Sequence, residues 1–334
     1  MIRSSFDRHS PCDSERCRMQ QRNACTRGMF VCILISSVLS TFSTSISADC
    51  TAKREVAGSD VVLLMGQSNM SGWGEGYDAD IDGPNDPRIQ QWSRANTVIT
   101  ASERLQHADH GRAGKRRVGM GTAFGRAYVK TLPANRNVLL VPTAYGATRL
   151  VNGPWSPGGN LFEDAMTRME AALASNREAG NCVAAVLWHQ GESDAGDGID
   201  QETYQSTWTD MVNTLRSRIP AAAEVPVILG EFTPHMLTRN QALSEPIMAA
   251  IRAIPDSVPF TAVAPSDGLS TNAVGPVHFD AVGQREYGQR YFDRLGDAVR
   301  NNQYQSMRPR EGVLPRTVAY GAKPSASPRK MDGE

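Results

Sequence analysis

Five apolar residues run without a break, Val61-Val62-Leu63-Leu64-Met65, and Gly66-Gln67-Ser68-Asn69-Met70-Ser71-Gly72 follows at once. No other junction in the chain limits its fold so strongly. An unbroken apolar run of this length suits a strand buried on both faces of a parallel sheet. Gly66 lets the backbone turn sharply where that strand ends. Ser68 then falls at the carboxyl end of the first core strand, where open α/β sheets place their ligands. With a helix beginning near Asn69, free backbone N–H groups would face whatever bonds to Ser68, a setting for developing negative charge. A serine after a strand also serves as a plain N-cap, so Ser68 needs support from the rest of the chain.

That support starts with the repetition of the pattern. Further apolar runs are Val138-Leu139-Leu140-Val141-Pro142, Val183 to Trp188, Val225 to Gly230 and Phe260 to Val263, separated by helical patterns near 120–131, 161–178, 201–219, 241–254 and 281–300. Strands alternating with helices imply right-handed βαβ units and a parallel sheet covered on both faces. Five strands suit a flavodoxin-like order. Region 73–118 is Gly-, Asp- and Arg-rich with weak periodicity, and a loop of that length in a compact domain is often a binding loop. The expected domain spans 58–300, and from about 303 the chain turns polar and Pro-rich, the pattern of a mobile tail.

Charge narrows the partners. Lys plus Arg number 35 and Asp plus Glu number 35, so the formal net charge is zero. No basic excess points to nucleic acid, and a small or neutral molecule is the expected partner. Residues 1–48 read as a leader: Arg22 and Arg27 precede the apolar run Met29 to Ile35, and small residues lead to a cut near Ala48. The apolar run is too short and too broken by Ser and Thr to span a membrane, so the expectation is export, with no stable membrane insertion. Of six cysteines only Cys50 and Cys182 lie beyond the leader. Each stands just ahead of a core strand, so they could pair or remain two free thiols. Their spacing resembles no metal site.

Later strand ends carry candidate chemistry on the same edge as Ser68. Gly146 and Ala147 follow the second strand and leave the backbone bare, so an N–H there could approach a substrate oxygen. After the third come His189-Gln190-Gly191-Glu192-Ser193-Asp194, with an amide that could donate to an oxyanion and two carboxylates. His189 alternates with Gln190 and is expected to face away from substrate. After the fifth come Asp267 and then Gly275-Pro276-Val277-His278-Phe279-Asp280, with His278 just before a helix. An imidazole there could take the Ser68 proton, which a free hydroxyl does not lose at neutral pH. A carboxylate on its other nitrogen would fix the tautomer.

Gly66-Gln67-Ser68-Asn69-Met70, Gly146-Ala147-Thr148, His189 to Asp194 and His278-Phe279 resemble, in order, the blocks of the SGNH/GDSL hydrolase superfamily. Gly-Gln-Ser-Asn and Gln-Gly-Glu are similar to its sialate O-acetylesterase-like branch, which includes carbohydrate esterase family six acetylxylan esterases. Val118-Gly119-Met120-Gly121 before Phe124 also resembles that branch. The resemblance covers roughly 58–297. It implies a three-layer α/β/α fold and removal of acetyl groups from sugars without metal or cofactor. By that match Ser68 is the nucleophile and His278 the base, and the Ser68 N–H, a backbone N–H at Gly146 and the Gln190 side chain form the oxyanion hole. One departure stands out: many relatives carry the triad acid three residues before the histidine, and here that residue is Gly275. Glu192 is the expected acid, with Asp267 and Asp194 as alternatives. Two other functions stay open: an esterase acting on aryl or lipid esters, and a sugar-binding relative without catalysis.

Overall fold

The computed structural model describes residues 47–112, 116–175 and 180–307. The expected leader falls almost wholly outside them, as does the chain from 308. A seven-stranded sheet has the order β3-β2-β4-β1-β5-β6-β7. Its strands are β1 (Gly58–Gly66), β2 (Ile89–Trp92), β3 (Val98–Thr100), β4 (Arg136–Pro142), β5 (Cys182–His189), β6 (Val227–Gly230) and β7 (Thr261–Ala264). The five expected strands are β1 and β4 to β7. Their order, with the second strand beside the first and the others following, is the flavodoxin-like one, and every pairing among them is parallel.

The sheet has two more strands than expected. Both arise in the region read as a loop: β2 pairs with β4 in parallel, and β3 pairs with β2 antiparallel. Their shortness and the three exposed residues of β3 explain why no apolar run announced them. A second difference lies at the far end, where the pattern near 281–300 is two helices, Ala281–Asp293 and Leu295–Met307. The latter runs past 303, where the tail was expected to begin.

All nine residues of β1 are buried, because it sits between β4 and β5 with helices on both faces. Successive side chains of a strand point to opposite faces. Val61, Leu63 and Met65 join one core with Phe162, Trp208 and Ile251, while Val62 and Leu64 join another with Phe124, Tyr128 and Tyr287. Those partners come from helices Asn160–Ala174, Gln201–Arg218 and Gln241–Ser257 on one side, and Gly121–Val129 and Ala281–Asp293 on the other. The result is three layers, α/β/α. Among the described residues no helix is long and apolar enough to cross a membrane.

The opposite edge of the sheet carries the structural staples. Cys50 and Cys182 form a disulfide with their Cα atoms 5.1 Å apart, tying the short helix Ala48–Ala52 to the start of β5. Beside it Asp60 accepts from Arg136 Nε at 2.6 Å and from the Tyr128 hydroxyl at 2.7 Å. The bridge closes a long stretch of chain, its ends standing 132 positions apart in the sequence. Replacing both cysteines by serine should therefore lower stability by about 2–5 kcal/mol. Thermal melts of the oxidised protein and the double variant check this, and equal midpoints would contradict it.

Candidate active site

The end of β1 is forced into its shape by β5. Gly66 has φ +132, and a Cβ there would stand 2.0 Å from the His189 carbonyl oxygen, so no other residue fits without moving one strand. The Gln67 N–H donates to that same oxygen at 2.9 Å. The chain then makes a single helical turn, Ser68–Ser71, which lifts Ser68 above the sheet edge.

His278 reaches it from the other side of the chain. Its Nε2 lies 2.9 Å from Ser68 Oγ, so the imidazole is placed to accept the hydroxyl proton. The loop carrying it is held by Asn69, which is fully buried. Asn69 Nδ2 donates to Val277 O at 3.0 Å and Oδ1 accepts from the Phe279 N–H at 3.2 Å. One side chain thus grips the backbone on both sides of His278. The ring stacks on Trp73, with centroids 5.3 Å apart and planes 21° apart. Asp280 caps the following helix by accepting from the Gly283 N–H at 2.8 Å.

No carboxylate among the described residues lies within 4.0 Å of His278. Gly275 has φ +72, and the His278 N–H donates to its carbonyl at 3.1 Å, so this position makes a turn in the left-handed region that glycine favours. Asp267 is exposed, and its backbone carbonyl accepts from Arg290. Asp194 is fully buried and accepts from the Leu150 and Val151 N–H groups at 3.0 and 2.9 Å. It anchors the loop after β4 and does not face His278.

Glu192 lines the cavity, but its hydrogen bond goes to Asn69 Nδ2 at 2.8 Å. The same oxygen stands 3.4 Å from His189 Nε2. His189 is fully buried, faces Tyr291 through Nδ1 at 3.1 Å, and packs against Phe279 and Tyr287. Burial alone would raise the Glu192 pKa, yet the His189 ring and the Asn69 amide outweigh it and hold the carboxyl below its ordinary value. Burial pushes the His278 pKa down, and the Glu192 charge opposes that fall. Glu192 thus meets the His278 loop through Asn69, whose Nδ2 also donates to Val277 O.

The two donors expected beside Ser68 are differently engaged. Gly146 lines the cavity, but its N–H donates to Asp109 Oδ2 at 2.9 Å. The Gln190 side chain is fully buried, and its NH₂ serves Thr148 O at 3.0 Å and the Asp194 carboxylate. Asp109 was not foreseen, nor was its buried ion pair with Arg104, whose Nε donates to Ser71 O at 2.7 Å. Both lie in the weakly periodic region 73–118, where no pattern marks a buried charge. Asn69 had a signal, its place beside Ser68 in the motif, but its task depends on contacts about two hundred residues away.

Around the Ser68–His278 pair lies a cavity of about 350 Å³ lined by Gln67, Trp73, Arg112, Ala147, Met236 and Val277. Arg112 sits over the Tyr145 ring, 5.1 Å from its centroid. The arrangement offers a nucleophile, a base and a space for a small acyl group.

Comparison with known proteins bears on the family and the fold. The sequence model of the family described as carbohydrate esterase, sialic acid-specific acetylesterase, matches residues 58–296. A probable carbohydrate esterase of Arabidopsis thaliana is 37% identical over 100 residues, covering 30% of this chain and 36% of that protein. The chain thus matches little more than a third of that relative's length. Among solved structures, NanS superposes with a TM-score of 0.61 at 20% identity, covering 76% of this chain and 99% of that one. An Arabidopsis thaliana protein does so with a TM-score of 0.55 at 23% identity, covering 72% and 99%. These two likenesses bear on the fold.

Proton transfer from Ser68 requires a neutral imidazole, so kcat/KM should rise with pH through the His278 pKa and level off above it. Because burial lowers that pKa, the acid limb is expected below the ordinary imidazole value of 6.5. Glu192→Gln removes the charge that opposes the fall, so its limb should move to still lower pH. Profiles of kcat/KM for p-nitrophenyl acetate check both, and a limb that Glu192→Gln leaves in place or moves upward contradicts the electrostatic account.

Proposed function

Since the chain belongs to the carbohydrate esterase, sialic acid-specific acetylesterase family, we propose that it is a serine esterase removing O-acetyl groups from carbohydrates. The carrying observation is the Ser68 Oγ to His278 Nε2 distance of 2.9 Å, at the strand end where this fold class binds ligands. In the proposed reaction Ser68 attacks the acetyl carbonyl as His278 takes its proton. The tetrahedral intermediate expels the sugar oxygen, which receives that proton back. Water, deprotonated by the same imidazole, then attacks the acetyl-enzyme and releases acetate. Glu192 is the carboxylate that supports the imidazolium, across Asn69 rather than by direct contact.

The substrate is proposed to be an acetylated sugar such as an O-acetylated sialic acid or a xylan-type polysaccharide. The Cys50–Cys182 disulfide supports work outside the cytoplasm, as the leader suggests. A second reading, an esterase for aryl or longer acyl esters, draws on the apolar side of the cavity. Trp73, Met236 and Val277 line it, and Val274 nearby in the chain is 82% exposed.

Ser68→Ala should abolish turnover while leaving the thermal midpoint nearly unchanged, since it deletes one small polar group. Asp267→Asn should stay near wild type, because that side chain is exposed. Retained turnover in Ser68→Ala would remove the serine mechanism. Hydrolysis of p-nitrophenyl acetate over the butyrate and octanoate supports the acetylesterase. The opposite ranking supports the second reading, and no turnover of any ester by the wild type leaves a binding protein.

A further inference from the structure

We propose that the side-chain amide of Gln67, together with the Ser68 N–H, holds the acyl oxygen, and that Gln190 orients Gln67 rather than meeting the substrate. This inference rests on the esterase reading and assigns a residue within its site. An acyl carbonyl attacked by Ser68 needs hydrogen-bond donors where its oxygen gains charge. The Gly146 N–H has one proton, and Asp109 accepts it at 2.9 Å. The Gln190 NH₂ is held by Thr148 O and Asp194 beneath the cavity, and that side chain has no exposed surface.

Gln67 is placed differently. It lines the cavity next to Ser68, and its Oε1 accepts from the Ser193 N–H and the Gln190 NH₂, each at 3.3 Å. A backbone N–H only donates, so the atom facing Ser193 is the amide oxygen, and this settles which way the amide is turned. Its NH₂ therefore lies on the other side. That group makes no hydrogen bond to any described residue, and it is not among the buried polar atoms left without a partner. A residue only 4% exposed that lines a cavity thus keeps its free donor accessible from that cavity. The Ser68 N–H, at the start of its helical turn, likewise has no acceptor among the described residues.

The chain Asp194, Gln190, Gln67 then acts as a buried frame aiming one amide at the reacting atoms. As the bond from Ser68 Oγ to the acyl carbon forms, the carbonyl π pair moves onto oxygen and the serine proton passes to His278. The oxygen's new charge is met by the Gln67 and Ser68 N–H groups. Collapse restores the carbonyl and breaks the bond to the sugar oxygen, which takes the proton from His278.

Gln67→Glu is the decisive variant, since it keeps the shape and the oxygen facing Ser193 but replaces the NH₂ with oxygen. Loss of one such donor lowers kcat by about a hundredfold to a thousandfold. That loss is expected here for p-nitrophenyl acetate, with KM changed by less than about threefold and the melting curve preserved. A boronic acid inhibitor, whose adduct on Ser68 presents a charged oxygen, should weaken in parallel. Gln67→Ala carries the same kinetic readout should the glutamate variant fail to fold. A kcat within about threefold of wild type, or a loss confined to KM, overturns the proposal. Inactive Ser68→Ala beside a fully active Gln67→Glu would sink this inference alone, whereas active Ser68→Ala sinks the esterase reading beneath it.

Discussion

The contact between Gly66 and the His189 carbonyl is the constraint on which the site depends. A Cβ at residue 66 would lie 2.0 Å from that oxygen, so the ends of β1 and β5 approach as only a glycine allows. From that point the two strands diverge with their candidate residues side by side. Gln67 and Ser68 leave one strand, Gln190 and Glu192 leave the other, and the Gln67 N–H bond to His189 O locks their relative height. The neighbouring β4 end brings Gly146 to the same edge because all three strands are parallel.

Beneath and beside the cavity the protein buries or half-buries several ionic or strongly polar groups: Asp109 with Arg104, Asp194 with Gln190, and Glu192 with Asn69. Burying charges carries a desolvation cost that pairing only partly offsets, so these groups contribute little net stability. What they supply is direction, since each allows only a few arrangements of its partners. Asp109 holds the Gly146 loop against Ser71, Asp194 holds the loop through Leu150 and Val151, and Asn69 holds the histidine. The hydrophobic layers supply the stability against which this polar frame is maintained.

The histidine illustrates how a missing carboxylate is accommodated. The turn at Gly275 adopts φ +72, in the left-handed region that glycine favours, and glycine brings no carboxylate to the position of the usual acid. The imidazole is fixed instead by the Asn69 clamp on its flanking peptides and by the face of Trp73. In the proposed mechanism the Glu192 carboxylate, bonded to the Asn69 amide, supplies the charge. In that mechanism orientation and charge, which a triad acid supplies together, are divided between residues.

The sheet was legible in the sequence because fully buried parallel strands must be continuously apolar, and five such runs announced themselves together with their flavodoxin-like order. Ser68, Gly146, Gln190, Glu192 and His278 were legible as candidates because strand ends in this architecture share one edge. β2 and β3 were not, being short and partly exposed. Nor were the partners of the polar side chains, because a hydrogen bond is decided by atoms a few ångströms apart that belong to distant stretches of chain. The sequence by itself determined which residues arrive at the edge. Only the tertiary structure decided that Gly146 donates to Asp109, that Gln190 turns inward to Asp194, and that Glu192 meets Asn69. Those choices follow from packing, since a buried amide or carboxylate takes whatever partner the folded backbone places within reach.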